Sequence, residues 1–205
     1  CDVGCHFNKQ GVWRLKEYIR IVEKDVNGCL FFSYKKPNLE KKFLKYSFPK
    51  NLDIEYTKAD LIKYFNLNQD DRIIHTPQVW GGSFFLRKCE TSKNLMKEHF
   101  NITRNRYDLI DDDETKFIEK SFTGFKAHRH SQSVLSILAK KINCDFISAY
   151  ESEWALDENG KRTFDHLWNY PIIARRDKER NIFLRFIDRQ KKNYRRKVNR
   201  IKNLF

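Results

Sequence analysis

The run from Gln132 to Asn143 constrains the fold most. Val134, Leu135, Leu138 and Ile142 recur at three- and four-residue intervals, the period of a helix with one buried face. Directly ahead lies Lys126-Ala-His-Arg-His130, a cationic, histidine-rich loop, and Ser131 is placed to cap the helix by accepting from a first-turn N–H. A positive loop feeding the positive end of a helix suits an anion: a carboxylate, a phosphate or a sugar-diphosphate. His128, Arg129 and His130 are thus candidate binding groups, against the alternative that they are surface or capping side chains.

The rest of the chain supplies the elements that such a helix needs to pack on. Val12, Leu15, Tyr18, Ile19 and Val22 share a helical face that Asn8-Lys-Gln-Gly11 can start, and Asn27-Gly28 separates it from a buried strand, Cys29 to Tyr34. Lys35 to Asn51 reads as irregular. Thr57-Lys-Ala-Asp60 has capping-box spacing ahead of Leu61-Ile62, and Asn66 to Pro77 reads as polar connection. Gln78-Val-Trp-Gly-Gly-Ser-Phe-Phe-Leu-Arg87 joins a double glycine to a strand, where glycines allow unusual dihedrals or close approach of a ligand.

A further helix is expected over Thr91 to Phe100, with Leu95, Met96 and Phe100 inward, and a strand over Cys144 to Tyr150. Asn159-Gly160 marks a tight turn. The acidic cluster Asp111-Asp-Asp-Glu114 can hold a divalent cation, face solvent, or pair with the basic loop at 126–130. Alternating helices and strands predict an α/β fold, a sheet with helices packed against it.

Charge divides the chain unequally. Of 41 Lys and Arg and 27 Asp and Glu, 13 and 3 fall from Arg175 to Phe205, leaving 28 and 24 for the rest. The body is mildly basic and the tail carries the cationic surplus. Ile187, Tyr194, Val198, Ile201 and Phe205 give that tail an amphipathic helical pattern, suited to an anionic membrane surface, nucleic acid or a partner. The apolar content excludes disorder, and no run of about 18 apolar residues spans a membrane. Five irregularly spaced cysteines make neither a disulfide framework nor a zinc finger, so a reducing, cytoplasmic compartment is expected. A first residue Cys1, in a segment without signal-peptide pattern, reads as cut from something longer.

Asp2-Val-Gly-Cys5, the helix with Tyr18-Ile19, Tyr56-Thr-Lys-Ala-Asp-Leu61, Gln78 to Arg87 and His128-Arg-His-Ser-Gln-Ser-Val-Leu135, in this order, resemble the glycosyltransferase-like proteins of bacterial and viral capsule and lipopolysaccharide loci. The resemblance implies a GT-A type nucleotide-diphospho-sugar transferase domain over 1–176, followed by a basic tail at 177–205. It implies an acceptor-side, C-terminal portion, because the acidic motif normally follows the nucleotide-binding strands and here stands at position 2. By the same resemblance Asp2 binds Mn²⁺ or Mg²⁺ on the donor diphosphate.

The other roles follow the same matches. His128, His130 and Gln132 are catalytic candidates, while Gln78, Trp80, Gly81, Gly82, Ser83, Arg129 and Ser131 are donor- or acceptor-binding. The family pattern carries an acid where this chain has Ser131, so the chain has either lost that group or uses another, with Glu151 and Glu153 as nearby candidates. Expected partners are a nucleotide-sugar donor, a glycan or lipid-linked glycan acceptor, and the inner face of an anionic membrane through the tail. The alternative from charge and aromatic content is a nucleic-acid-binding protein or a metal-dependent nuclease. A non-catalytic remnant is a third reading.

Overall fold

The computed structural model describes residues 1–37, 45–112 and 121–175, with Ile187 and Gln190. Five helices, α1 (Val12–Lys24), α2 (Asp53–Tyr56), α3 (Ala59–Tyr64), α4 (Glu90–Asn105) and α5 (His130–Lys141), alternate with the strands of a mixed sheet. That sheet has the order β3-β2-β4, from β2 (Cys29–Ser33), β3 (Val79–Leu86) and β4 (Asp145–Ser148). β2 runs antiparallel to β3 and parallel to β4. The α/β expectation of a sheet flanked by helices is met.

All five residues of β2 are buried, because both faces of the strand are covered. Cys29 and Phe31 point to a core with residues of α3, α4 and α5, while Leu30 and Phe32 point to a second core with Tyr18 and Val22 of α1. The period-two alternation of the strand thus divides its side chains between two helical layers. Tyr18 meets Phe32 edge-on at 5.4 Å between centroids, and Phe32 meets Trp80 at 6.0 Å.

The register of β2 on β3 is broken in one place. Phe31 faces Phe84, yet Phe32 faces Trp80, so Gly81, Gly82 and Ser83 are extra residues that loop out of the ladder. Neither glycine has a positive φ, and the freedom used here is close packing: a Cβ on Gly82 would sit 2.1 Å from Trp80 Cζ2. Gly82→Ala is therefore expected to push the Trp80 indole from its place, costing about 1–3 kcal/mol and shifting tryptophan emission. Gly81→Ala, whose Cβ would stand 3.3 Å from Gln132 Oε1, is expected to do much less. Equal effects from the two would refute this packing account.

Two short ribbons finish the body. β1 (His6–Phe7) pairs antiparallel with β7 (Ile172–Ile173), and β5 (Ala155–Leu156) with β6 (Arg162–Thr163) around the turn at Asn159-Gly160. α5 is anchored by buried Asp53, which accepts from Ser136 Oγ at 2.8 Å and from Lys140 Nζ.

Several local expectations change. Val12, Ile19 and Phe100 are exposed, because the buried stripes of α1 and α4 are narrower than the apolar pattern. α3 starts at Ala59 with Lys58 as N-cap and no side-chain cap, since the Thr57 hydroxyl is instead within reach of Gln78 Nε2. α5 likewise starts at His130, so Ser131 lies inside its first turn and the N-cap is Arg129. The connection from Asn66 to Pro77 holds a 3₁₀ turn, Arg72–His75, and buries Leu67 and Ile74. No helix among the described residues is long and apolar enough to cross a membrane. The expected tail at 177–205 lies outside the described residues except for Ile187 and Gln190, both helical.

Candidate active site

The loop ahead of α5 is fixed by backbone bonds before any side chain acts. Lys126 N and Arg129 N donate to the carbonyls of Glu55 and Tyr56, at 2.8 and 3.1 Å, which lays 126–129 along the end of α2. Side chains two apart in such a segment share a side. Accordingly the rings of His128 and His130 meet at 5.8 Å on one side, and Arg129 between them reaches the other.

His128 is buried and doubly bonded. Its Nδ1 accepts from Lys58 N at 3.3 Å and its Nε2 donates to Leu109 O at 3.1 Å, which defines a neutral imidazole. Burial, then the Lys58 charge, push its pKa down to about 4. His130, the one residue of the loop with positive φ, turns back to Ile110 O at 2.8 Å and to Asp112 at 3.2 Å. The two histidines tie the loop to residues 109–112, and the acidic cluster meets the basic loop at Asp112. Asp113 and Glu114 lie outside the described residues.

Arg129 opens into a cavity of about 700 Å³ above the ends of β2 and β4, bounded by the β3 bulge. Its guanidinium lies 4.8 Å from the Tyr56 ring centroid, a stacking that orients the cation. No side chain caps the first turn of α5 beside it. Aromatic walls come from Tyr34, Trp80, Tyr150 and Trp154, and Arg162 stacks on Trp154 at 4.4 Å.

Two carboxylates line the same space, Asp2 and Glu153. Asp2 is placed by its N–H donating to Gly82 O at 2.7 Å, so the bulge carries the N-terminal segment into the site. Both acids act on the Cys5 thiol, whose pKa burial raises first, followed by Asp2 and then Glu153. Burial above all, followed by the charge of Glu153, also raises the phenol pKa values of Tyr34 and Tyr150, keeping them as hydroxyls.

Of the residues expected from sequence, Asp2, Trp80, Gly81, Gly82, Arg129, Ser131 and Gln132 line the cavity. Gln132 is held within the wall: its Nε2 donates to Gln78 Oε1 at 2.9 Å and its Oε1 accepts from Gly81 N at 3.2 Å. These two bonds tie the β3 bulge to α5. Gln78 and Ser83 are buried outside the lining, the Gln78 amide reaching Tyr56 O and Ser133 Oγ, both at 3.3 Å. His128 and His130 are outside the lining as well, because alternation turns them away when it turns Arg129 in.

The structure also separates the two acids left open by the sequence. Glu151 is buried and receives Arg14 at both oxygens, 2.7 and 2.6 Å, with Tyr18 Oη at 2.6 Å; it clamps α1 to the end of β4. Glu153 lines the cavity. His99 of α4 is a lining residue that the sequence did not mark; its Nε2 donates to Ser131 O at 3.0 Å, and burial lowers its pKa. Only three-dimensional proximity picks it out.

Buried neutral histidines give a pH prediction. His166, whose Nε2 donates to Tyr150 O at 3.0 Å, is also pushed by burial from 6.5 down to about 4. Between these values the unfolded chain takes up protons that the folded chain refuses, so this stability is complete above pH 6.5 and is lost as the pH falls toward 4. The expected slope is about 1.4 kcal/mol per pH unit for each histidine. Urea titrations from pH 7 to 4 check it, and His128→Gln should flatten the curve. Compared with known proteins, the chain matches no family model, no curated protein and no solved structure.

Proposed function

We propose that this chain carries the site of a GT-A type glycosyltransferase, which moves a sugar from a nucleotide-diphospho-sugar to a surface glycan. The observation that carries the reading is one cavity lined by aromatic side chains, an oriented arginine at an uncapped helix start and a carboxylate. Trp154, the half-buried aromatic of the lining, offers its ring to a sugar. Arg129 and the first-turn N–H groups of α5 bind diphosphate oxygens, whose negative charge grows as the bond to the sugar breaks.

Glu153 is the general base. It accepts the proton of an acceptor hydroxyl as that oxygen bonds to the anomeric carbon, and the electron pair of the breaking carbon–oxygen bond leaves with the nucleoside diphosphate. Ser131 and Glu153 line the same cavity, and in this reading Glu153 supplies the carboxylate that Ser131 lacks.

Among the described residues no three His, Cys, Asp or Glu side chains are grouped around a metal position. A Mg²⁺-type ion bound to a diphosphate needs only one or two protein carboxylates, because phosphates and water fill the other positions. Asp2, which lines the cavity, is one such carboxylate and would hold Mn²⁺ or Mg²⁺. The ion would supply positive charge to the leaving diphosphate.

Calorimetric titration with UDP-, GDP- and CMP-sugars, with and without Mn²⁺, tests the reading. One donor should bind, more tightly with metal, and Arg129→Ala should weaken it by tenfold or more. Absence of donor binding by folded protein, or binding indifferent to Arg129, would count against a transferase.

A further inference from the structure

The β1/β7 ribbon has a cavity on each side. Cys5 and Ala174 line the one already described, whereas their neighbours His6, Ile173 and Arg175 line another of about 540 Å³, completed by Asn8, Phe164, Asp165 and Trp168. Successive residues of an extended strand point to opposite faces, so one ribbon forms a shared wall. We propose that this second cavity is a saccharide subsite, which holds a part of the acceptor glycan remote from the transferred sugar. The proposal deepens the transferase reading and rests on it for the identity of the acceptor.

The chemistry of the walls points to a saccharide. Trp168 is 69% exposed despite its size, presenting an indole at the cavity. Phe164 supplies a second ring, with the Arg175 guanidinium 5.4 Å from its centroid. Aromatic faces bind the C–H faces of sugar rings, while a carboxylate and a guanidinium at the margin bind hydroxyls; Asp165 and Arg175 provide them. One acid beside one cation suits a neutral polyhydroxylated ligand better than a phosphate or an anionic lipid surface, which Asp165 would repel.

The walls are also held in place. Asn8 Nδ2 donates to Trp168 O at 2.6 Å and Tyr170 O at 3.1 Å, its N–H donates to Pro171 O at 2.8 Å, and the His6 ring meets Arg175 O at 2.7 Å. A prearranged platform loses little freedom on binding, which is the condition for weak saccharide contacts to add to a measurable affinity.

The test is binding of the full chain to an array of defined di- to hexasaccharides, followed by calorimetry with the best-bound array member. Expected are binding to at least one oligosaccharide, a tenfold or greater loss in Trp168→Ala and partial retention in Trp168→Phe. Trp168 is largely exposed, so a circular dichroism spectrum unchanged from the parent is expected in its variants. Binding of no array member, or equal binding by Trp168→Ala, overturns the subsite. Nucleotide-sugar binding is measured separately on the same variants: its failure strikes the transferase reading, while oligosaccharide binding that is absent or indifferent to Trp168 strikes only this one.

Discussion

Lys58→Met is expected to destabilise the chain by about 3–5 kcal/mol, read as a lowered urea midpoint with an unchanged slope. The Lys58 side chain is 1% exposed; its ammonium pairs with Asp111 Oδ1 at 3.0 Å and donates to the carbonyls of Asp108 and Asp111. Removing the cation takes the 3.0 Å ion-pair partner from a buried carboxylate, which costs far more than losing a solvent-facing pair. Replacing both partners, in Lys58→Met with Asp111→Leu, should recover most of the loss, since the buried carboxylate then goes with its cation. A single variant within 1 kcal/mol of the parent would show that the pair is not buried in solution.

The same substitution should reach the cavity. Lys58 N bonds His128 Nδ1, and His128 and His130 bond the carbonyls of Leu109 and Ile110. Loosening 107–112 removes the partners that hold the two histidines on one side and therefore Arg129 on the other. Donor affinity should fall in Lys58→Met even at temperatures where the chain is folded. Unaltered affinity would mean that Arg129 is placed by its bonds to α2 alone.

Glu153→Gln acts on the reaction. It is expected to lower transfer by about 10²–10⁴-fold in protein that is folded at the assay temperature, the range for loss of a general base. Glu151→Gln is the control: it removes the charge that Arg14 and Tyr18 share and should cost about 2 kcal/mol of stability, with a much smaller effect on transfer in the folded protein. The hydrogen bonds that Arg14 donates, to Glu151 above all and also to Glu17, raise the guanidinium pKa against the opposing effect of burial, so Arg14 stays charged across any working pH. If Glu151→Gln proved catalytically dead and Glu153→Gln active, the roles assigned to the two acids would be reversed.

The period of the apolar residues determined a large part of the fold. The runs at 12–22, 29–34, 79–86 and 132–142 became α1, β2, β3 and α5, because burying a face at the period of 3.6 or 2 is a local property of the chain. The sequence also marked the double glycine and the loop before α5, and the structure brings both to one cavity with Asp2.

Direction was decided by tertiary structure. Nothing in His128-Arg-His130 says which side chains face inward; the backbone bonds of 126–129 to α2 set the phase of the alternation, placing Arg129 in the cavity and both histidines against 109–112. Glu151 and Glu153 are equivalent in sequence, and only the position of Arg14, remote in the chain, converts one into a clamp. The sequence by itself thus determined the elements and the residue types available to the site, since these follow from local periodicity and composition. Which of those residues meet across the cavity depended on long-range packing of α1, α2 and α5 on the sheet, which no local pattern encodes.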